Sequence, residues 1–138
     1  MTEVSATGFS SSWERAIVAA VKRVFRREEP RRSWQVSVAA LTAAEMRRIH
    51  IRYRRQRYVP DVLSFLLTTP TRAAAGSGEI LVCPAQLKRD ARALGVPWRT
   101  HAHRMVIHSC LHLLGYHHDN PRAQARMEMK ERGYSTHG

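Results

Sequence analysis

Four histidines fall between His108 and His118, a spacing at which imidazole nitrogens can bind a transition metal. His108 and His112 are four residues apart, so on an α-helix both rings project from one face. Gly115 is expected just past the end of that helix, where a left-handed conformation turns the chain back and brings His118 within reach. Three imidazoles with an open fourth position are typical of a catalytic zinc site. We therefore expect one Zn²⁺, or a similar divalent ion, per chain.

The zinc peptidase signature is a different one. HExxH requires a glutamate directly after the first histidine as general base, whereas this chain has Ser109 at that position. No acidic residue inside the motif stands where that base must be. The nucleophile of a hydrolytic reaction would then be either water activated by the metal or, for an RNA substrate, the RNA's own 2′-hydroxyl. The sequence leaves both open.

The segment HSCLHLLGYHHD, residues 108–119, resembles the HGxLHLxGYDH signature of the YbeY family of metal-dependent endoribonucleases. Two further blocks agree in order and spacing: residues 49–65 are similar to the family's LNxxYR and TDVLSF motifs, and residues 78–84 to its GDIxIcP motif. The resemblance extends over roughly residues 33–133. It implies a single-strand-specific, metal-dependent endoribonuclease in ribosomal RNA maturation and ribosome quality control, with ribosomal RNA and the small ribosomal subunit as partners.

The family register also suggests roles for individual residues. It makes His118 the third ligand and puts His117 at a family aspartate, as a neighbour that orients the site or contacts substrate. It matches Arg54 to the YR arginine, a candidate for phosphate binding or transition-state stabilisation, and puts Ser64 beside the site. The expected catalytic set is Arg54, His108, His112 and His118. The chain departs from the family pattern at five positions: His50 for Asn, Pro60 for Thr, Glu79 for Asp, Ser109 for Gly and His117 for Asp.

Net charge favours a polyanionic partner. The chain has 23 Lys and Arg against 11 Asp and Glu, a formal charge of +12, and binding to nucleic acid would release counterions. Guanidinium groups mixed with an aromatic ring suit phosphate contact with base stacking, although a charged helix face is often only solvated. The expected RNA-binding residues are Arg47, Arg48, Arg52, Tyr53, Arg54 and Arg55.

Two other functions fit the same residues. In the first, the protein is not an enzyme: the metal clamps the helix to its exit turn, and the arginines hold RNA or a ribosomal partner. That function requires a closed site, with His117 or Asp119 as the nearest candidates for a fourth ligand. In the second, the protein hydrolyses small phosphoesters or amides, and the arginine-rich helix has no role in substrate binding. An open coordination position beside a basic groove would favour the endoribonuclease.

A chain of 138 residues with 43% hydrophobic and 25% charged content fits one globular domain, residues 1–138. We expect residues 1–12, which are small and polar, to be flexible. Two isolated cysteines without CxxC spacing, and an amino terminus without a secretory apolar core, predict a reduced, cytoplasmic setting. No apolar run is long enough to cross a membrane, so no membrane partner is expected.

The hydrophobic pattern predicts an α+β fold. A helix capped by Ser12 should end near Arg27, and residues 34–41 and 80–83 alternate or cluster as strands. Residues 62–67 are almost continuously apolar, which predicts a central strand covered on both faces. Thr42 and Glu45 form a capping box. Further helices are expected before Gly95, from Thr100 and from Pro121, with a polar tail after Gly133. Together with the family resemblance, this predicts a mixed central sheet of about four strands flanked by helices.

Overall fold

The computed structural model describes residues 1–135 and contains one four-stranded sheet with five helices. The elements in chain order are β1 (Thr2–Thr7), α1 (Ser11–Glu28), β2 (Trp34–Ala40), α2 (Ala43–Arg54), β3 (Val62–Thr68), β4 (Gly76–Val82), α3 (Pro84–Leu94), α4 (Trp98–Leu113) and α5 (Pro121–Ser135). The strand order is β1-β2-β4-β3, with parallel pairing throughout except for the antiparallel pair β3–β4. The prediction of a single α+β domain with a mixed sheet is confirmed.

The amino-terminal segment is a strand, so the prediction that residues 1–12 form a loose end was wrong. Strand β1 pairs in parallel with β2 from Thr2 opposite Trp34 to Thr7 opposite Ala39. Its small and polar side chains suit an edge strand, where the partner strand rather than local hydrophobicity fixes the conformation. Helix α1 then begins earlier than expected, because the Ser10 hydroxyl, not that of Ser12, accepts the backbone N–H of Trp13.

The main core lies between the sheet and α1, α4 and α5. Trp34, Val36 and Val38 of β2 alternate with less buried residues and face this core together with Ile80 and Val82 of β4. From the helices come buried side chains that include Val21, Val24, Phe25, Val106, Ile107, Leu111 and Met127. Burying each such aliphatic or aromatic side chain contributes about 1.5–3 kcal/mol relative to exposure. Helix α4 is therefore held firmly at the point where the histidine motif begins.

Helix α2 packs through a smaller apolar cluster. Met46 of α2 is fully buried against Leu63 of β3 and Cys83. The capping box is present as predicted: the Glu45 N–H donates to the Thr42 hydroxyl, and the Glu45 carboxylate accepts the Thr42 N–H. The helix ends where Arg55 adopts a left-handed conformation at φ 57°. This end presents the arginine-rich turn next to β3.

Strand β3 lies at the edge of the sheet, so the prediction of a central strand was wrong. Leu66 and Leu67 are 50% and 60% exposed, and β4 is the partner of β3. A continuous apolar run is typical of a strand covered on both faces, but here only the first half of the run is covered. The free edge places the start of β3 beside α2 and the cavity described below.

The carboxyl-terminal half positions the histidines. Gly95 ends α3 in the predicted left-handed conformation, and α4 begins at Trp98, two residues before the predicted Thr100. Gly115 has φ +96°, as its place after the helix requires. Helix α5 begins at Pro121 as predicted but continues through Gly133 to Ser135, so the expected polar tail begins later; residues 136–138 lie outside the described part.

Close packing fixes the carboxyl end of α4 against the sheet. A Cβ atom on Gly78 of β4 would lie 2.9 Å from Leu113 Cδ1, closer than real Cβ atoms approach. Glycine at this position therefore lets Leu113, directly after His112, press onto the strand. None of the helices within residues 1–135 has the length and apolar character needed to cross a membrane.

Candidate metal centre

Three imidazoles meet at the end of α4. The Nε2 atoms of His108 and His112 lie 3.0 Å apart, close to the spacing of about 3.3 Å that two imidazole ligands adopt around a tetrahedral zinc ion. The ring centroid of His118 lies 5.2 Å from that of His112 and 6.0 Å from that of His108. The helix supplies the first pair, and the turn at Gly115 returns the third ring.

The third ring stands farther out than the other two. Within residues 1–135, the ligand atoms of the three histidines are not all within 4.8 Å of one another. His118 lies in the loop that follows α4. The backbone N–H of Tyr116 donates to the Leu111 carbonyl at 2.9 Å, and this hydrogen bond fixes only the first part of the loop. His118 is therefore the least closely placed of the three histidines.

The environment keeps His112 neutral. Burial lowers its pKa, and the neighbouring rings of His108 and His118 lower it further. A neutral imidazole has a free lone pair, which is the form that binds a metal ion. A donor set of three imidazoles fits a borderline-soft cation such as zinc in ligand type.

Glu131 of α5 is a site residue that sequence reasoning missed. Its Oε1 contacts Nδ1 of His108, on the side of the ring opposite Nε2, and Glu131 is only 8% exposed. The two residues are 23 positions apart, so no spacing rule for a helix or turn relates them. Only the fold shows that Glu131 is buried, and His108 is the partner that a buried carboxylate needs.

The three histidines open into a cavity of ≈ 990 Å³ between α4, α3 and the start of β3. Arg54 also lines the cavity: its Nη2 donates to the Ser64 carbonyl at 2.9 Å, and its guanidinium lies 4.8 Å from the Phe65 ring centroid. Ser64 lines the same cavity. The structure thus brings together the histidines, Arg54 and Ser64, which the family register had grouped.

His117 points elsewhere. Its Nδ1 lies 3.3 Å from Asp119 Oδ2, and its ring borders a separate surface depression formed with Glu28, Gly115 and Asn120. The two residues considered as a fourth ligand therefore pair with each other. Ser109 faces the cavity but is satisfied locally, because its hydroxyl donates to the Met105 carbonyl at 3.0 Å.

The remaining predicted RNA-binding residues lie outside the cavity, on the exposed surface of α2 and its exit turn. Arg52 stacks its guanidinium 5.4 Å from the Tyr53 ring centroid, and Tyr53 is 59% exposed. Arg47 donates from Nε to the Arg57 carbonyl at 3.3 Å. Arg48 and Arg55 are exposed as well. Together with Arg54, these exposed side chains form a basic border on α2 and its exit turn.

A second group of ligand-type side chains borders the cavity. The ligand atoms of Asp61, Asp90 and His101 lie within 4.8 Å of one another, and both carboxylates line the cavity with the histidines. Burial raises the pKa of Asp61, Asp90 raises it further, and His101 opposes the rise. His101 is buried, and its Nε2 lies 3.1 Å from Asp61 Oδ2. This hydrogen bond pairs His101 with Asp61, so the part of the chain that the structure describes contains two candidate ligand groups beside one cavity.

Fold and site together define the class: a one-domain α+β protein with a histidine cluster in a cavity that Arg54 also lines. The endoribonuclease YbeY family profile matches residues 2–137. The curated relatives named endoribonuclease YbeY include one from Bdellovibrio bacteriovorus, 32% identical over 85% of this chain and 75% of its own length, and one from Thiobacillus denitrificans, 34% identical over 70% and 65%. A solution structure from Thermotoga maritima superposes with a TM-score of 0.68 at 25% identity, covering 98% of this chain and 87% of the other.

The chain belongs to the endoribonuclease YbeY family, as the motif resemblance predicted. The matched regions span about two thirds to three quarters of the length of the two curated relatives. Family membership supports an RNA-cleaving role.

Proposed function

We propose that the protein is a metal-dependent endoribonuclease that cleaves single-stranded segments of ribosomal RNA, with one zinc or similar divalent ion held by His108, His112 and His118. One observation carries the proposal: three imidazoles and a guanidinium face one cavity of ≈ 990 Å³ in a protein of charge +12. The small ribosomal subunit, which presents such RNA, is the proposed partner in ribosome maturation and quality control.

The ligand set leaves room for substrate. His117 and Asp119 lie 3.3 Å apart and neither lines the cavity, which supports a site without a fourth protein ligand. Three protein ligands with an open position are characteristic of catalytic rather than structural zinc sites. A divalent ion bound there would polarise a phosphoryl oxygen and acidify water. This openness favours an enzyme over a protein in which the metal only clamps the helix to its exit turn.

Arg54 is the proposed phosphate-binding group. Its guanidinium is anchored by the Ser64 carbonyl and the Phe65 ring, and the residue lines the cavity, so its other N–H donors are available to a phosphate there. A phosphodiester gains negative charge on its non-bridging oxygens as the attacking oxygen approaches. A preorganised planar fork of donors stabilises that charge more effectively than a flexible ammonium group does.

The basic border is the reason for proposing a polymeric substrate rather than a small phosphoester. A small phosphoester would need only the cavity, whereas the exposed arginines of α2 extend the positive surface beyond it. Single-stranded RNA offers both phosphates for these guanidinium groups and bases that can stack on exposed aromatic rings. Tyr53, which is exposed and carries Arg52 on its ring, is suited to such stacking.

Cleavage of structured and single-stranded ribosomal RNA fragments by purified protein, with metal analysis of the same samples, tests the proposal. The wild type should contain about one equivalent of metal per chain and should cut single-stranded segments. His112→Ala should lose metal and cleavage together, because it removes a central ligand. His117→Ala is the matched control: it removes a neighbouring imidazole that lies outside the cavity, and it should retain both.

Contaminating nucleases are excluded by the pairing of these two variants, which are purified identically. Equal cleavage by wild type and His112→Ala would refute the assignment of activity to this site. Stoichiometric metal and tight RNA binding without cleavage would instead support the non-catalytic alternative.

A further inference from the structure

The contact between Glu131 and His108 has the geometry of a support for a metal ligand. Glu131 reaches from α5 to Nδ1 of His108, while Nε2 of the same ring lies 3.0 Å from Nε2 of His112. The carboxylate thus binds one nitrogen, and the other nitrogen faces the centre of the three-histidine group. Helices α4 and α5 meet at this contact.

The carboxylate determines which nitrogen carries the proton. An ionised carboxylate only accepts hydrogen bonds, so the contact requires a proton on Nδ1 of His108 and leaves the lone pair on Nε2. This is the tautomer that a ligand binding through Nε2 needs. Histidine ligands of metals almost always donate their second ring N–H to such an acceptor.

We propose that Glu131 is a positioning residue: it fixes the Nδ1–H tautomer and the ring orientation of His108 and so raises the affinity of the three-histidine site for a divalent cation. The inference rests on the proposed metal site and adds to it a residue from a different helix. Glu131 itself does not contact the metal position, because the imidazole lies between them.

The contact is not needed simply to attach α5. That helix is held independently by Tyr134, whose hydroxyl donates to Glu28 Oε2 at 2.5 Å, by Lys130, 3.3 Å from the same oxygen, and by Met127, which is buried. Burying a carboxylate is costly unless its partner compensates for the lost hydration. An apolar side chain at this position would attach α5 to α4 at a lower cost in desolvation free energy.

Zinc affinity of metal-free protein, measured by competition with a chromophoric chelator at fixed pH, tests the proposal without relying on activity. Glu131→Ala should bind zinc about 10–100-fold more weakly than wild type. Glu131→Gln, which keeps an acceptor oxygen but loses the charge, should fall between the two. Two control variants should bind as wild type does: Glu128→Gln removes an exposed carboxylate from the same helix, and Tyr134→Phe removes another anchor of α5.

A second readout follows the tautomer directly. In ¹⁵N-resolved NMR spectra of the metal-free protein, His108 of the wild type should be protonated at Nδ1, and Glu131→Gln should shift the population toward the Nε2–H form. Because glutamine is nearly isosteric with glutamate, this variant keeps the test decisive if Glu131→Ala does not fold.

Equal zinc affinity of wild type and both Glu131 variants would overturn the inference while leaving the proposed metal site intact. An equal loss of affinity in Tyr134→Phe would overturn it too, because the effect would then come from detachment of α5. Failure of the wild type itself to bind zinc would overturn the proposed function and this inference together.

Discussion

Replacing Glu28 should weaken the structure behind the metal centre by a measurable amount. Its carboxylate accepts the hydroxyls of Tyr116 at 2.8 Å and Tyr134 at 2.5 Å, and lies 3.3 Å from the Lys130 ammonium. Glu28 thereby joins the end of α1 to α5 and to the loop that precedes His118.

The expected loss follows from the number and kind of contacts. A hydrogen bond to a charged group contributes about 1.5–3 kcal/mol, whereas an exposed ion pair contributes about 0–1 kcal/mol. The side chain of Lys130 is 43% exposed, so the two tyrosine hydroxyls dominate. In Glu28→Gln one amide oxygen can still accept one hydroxyl. We therefore expect a loss of roughly 2 kcal/mol in the free energy of unfolding, or about 1 M in the urea midpoint for an m-value near 2 kcal/mol/M.

The pH dependence gives an independent check. Burial acts to raise the pKa of Glu28, but the hydrogen bonds from Tyr134, Tyr116 and Lys130 outweigh it and lower the pKa overall. A carboxyl whose pKa is lower in the folded state stabilises the fold fully above its unfolded value of about 4.3. That stabilisation is lost as the pH falls through the folded-state pKa. The Glu28→Gln variant should lack this part of the acid-induced loss of stability.

Urea unfolding between pH 7 and pH 3 measures both effects, with Glu128→Gln as a control for an exposed carboxylate. An unchanged midpoint in Glu28→Gln at pH 7, or a parallel acid profile in wild type and variant, would refute the reasoning.

Three further predictions concern the site. His118→Ala should lose metal and cleavage, whereas His117→Asp should retain both, because His117 borders a separate depression; metal titration showing the opposite order would reverse the ligand assignment. Arg54→Lys should keep RNA binding but lose most cleavage, because an ammonium group lacks the planar fork; equal single-turnover rates would remove Arg54 from the catalytic set. The log–log salt slope of single-strand RNA binding, about −0.7 per phosphate contacted, should flatten in a variant with four alanines, and an unchanged slope would put the RNA surface elsewhere. The four substituted residues are Arg47, Arg48, Arg52 and Arg55.

The features that could be predicted from the sequence are those set by neighbouring residues, such as helix caps, turns and ligand spacing within a helix. Each of four confirmed predictions depends on residues within one turn of each other. They are the capping box at Thr42, the left-handed conformations of Gly95 and Gly115, and the helix start at Pro121. The spacing of His108 and His112 belongs to the same kind of signal, and the structure brings their nitrogens together.

Contacts between distant parts of the chain determine the features that the sequence did not predict. The first strand forms by pairing with β2, and within residues 1–135 the apolar run in β3 pairs only with β4, at the other edge of the sheet. The contact of Glu131 with His108 and the group of Asp61, Asp90 and His101 join residues from distant elements. Neither helical spacing nor strand alternation relates such residues, so only the folded arrangement reveals them.

The most direct test of the central claim is the position of the metal in zinc-loaded crystals, located by anomalous diffraction at the zinc edge. The account predicts one peak among His108, His112 and His118, with imidazole nitrogens at about 2.1 Å and an open fourth position facing the cavity. A peak among Asp61, Asp90 and His101 instead, or a fourth protein ligand that closes the site, would contradict it.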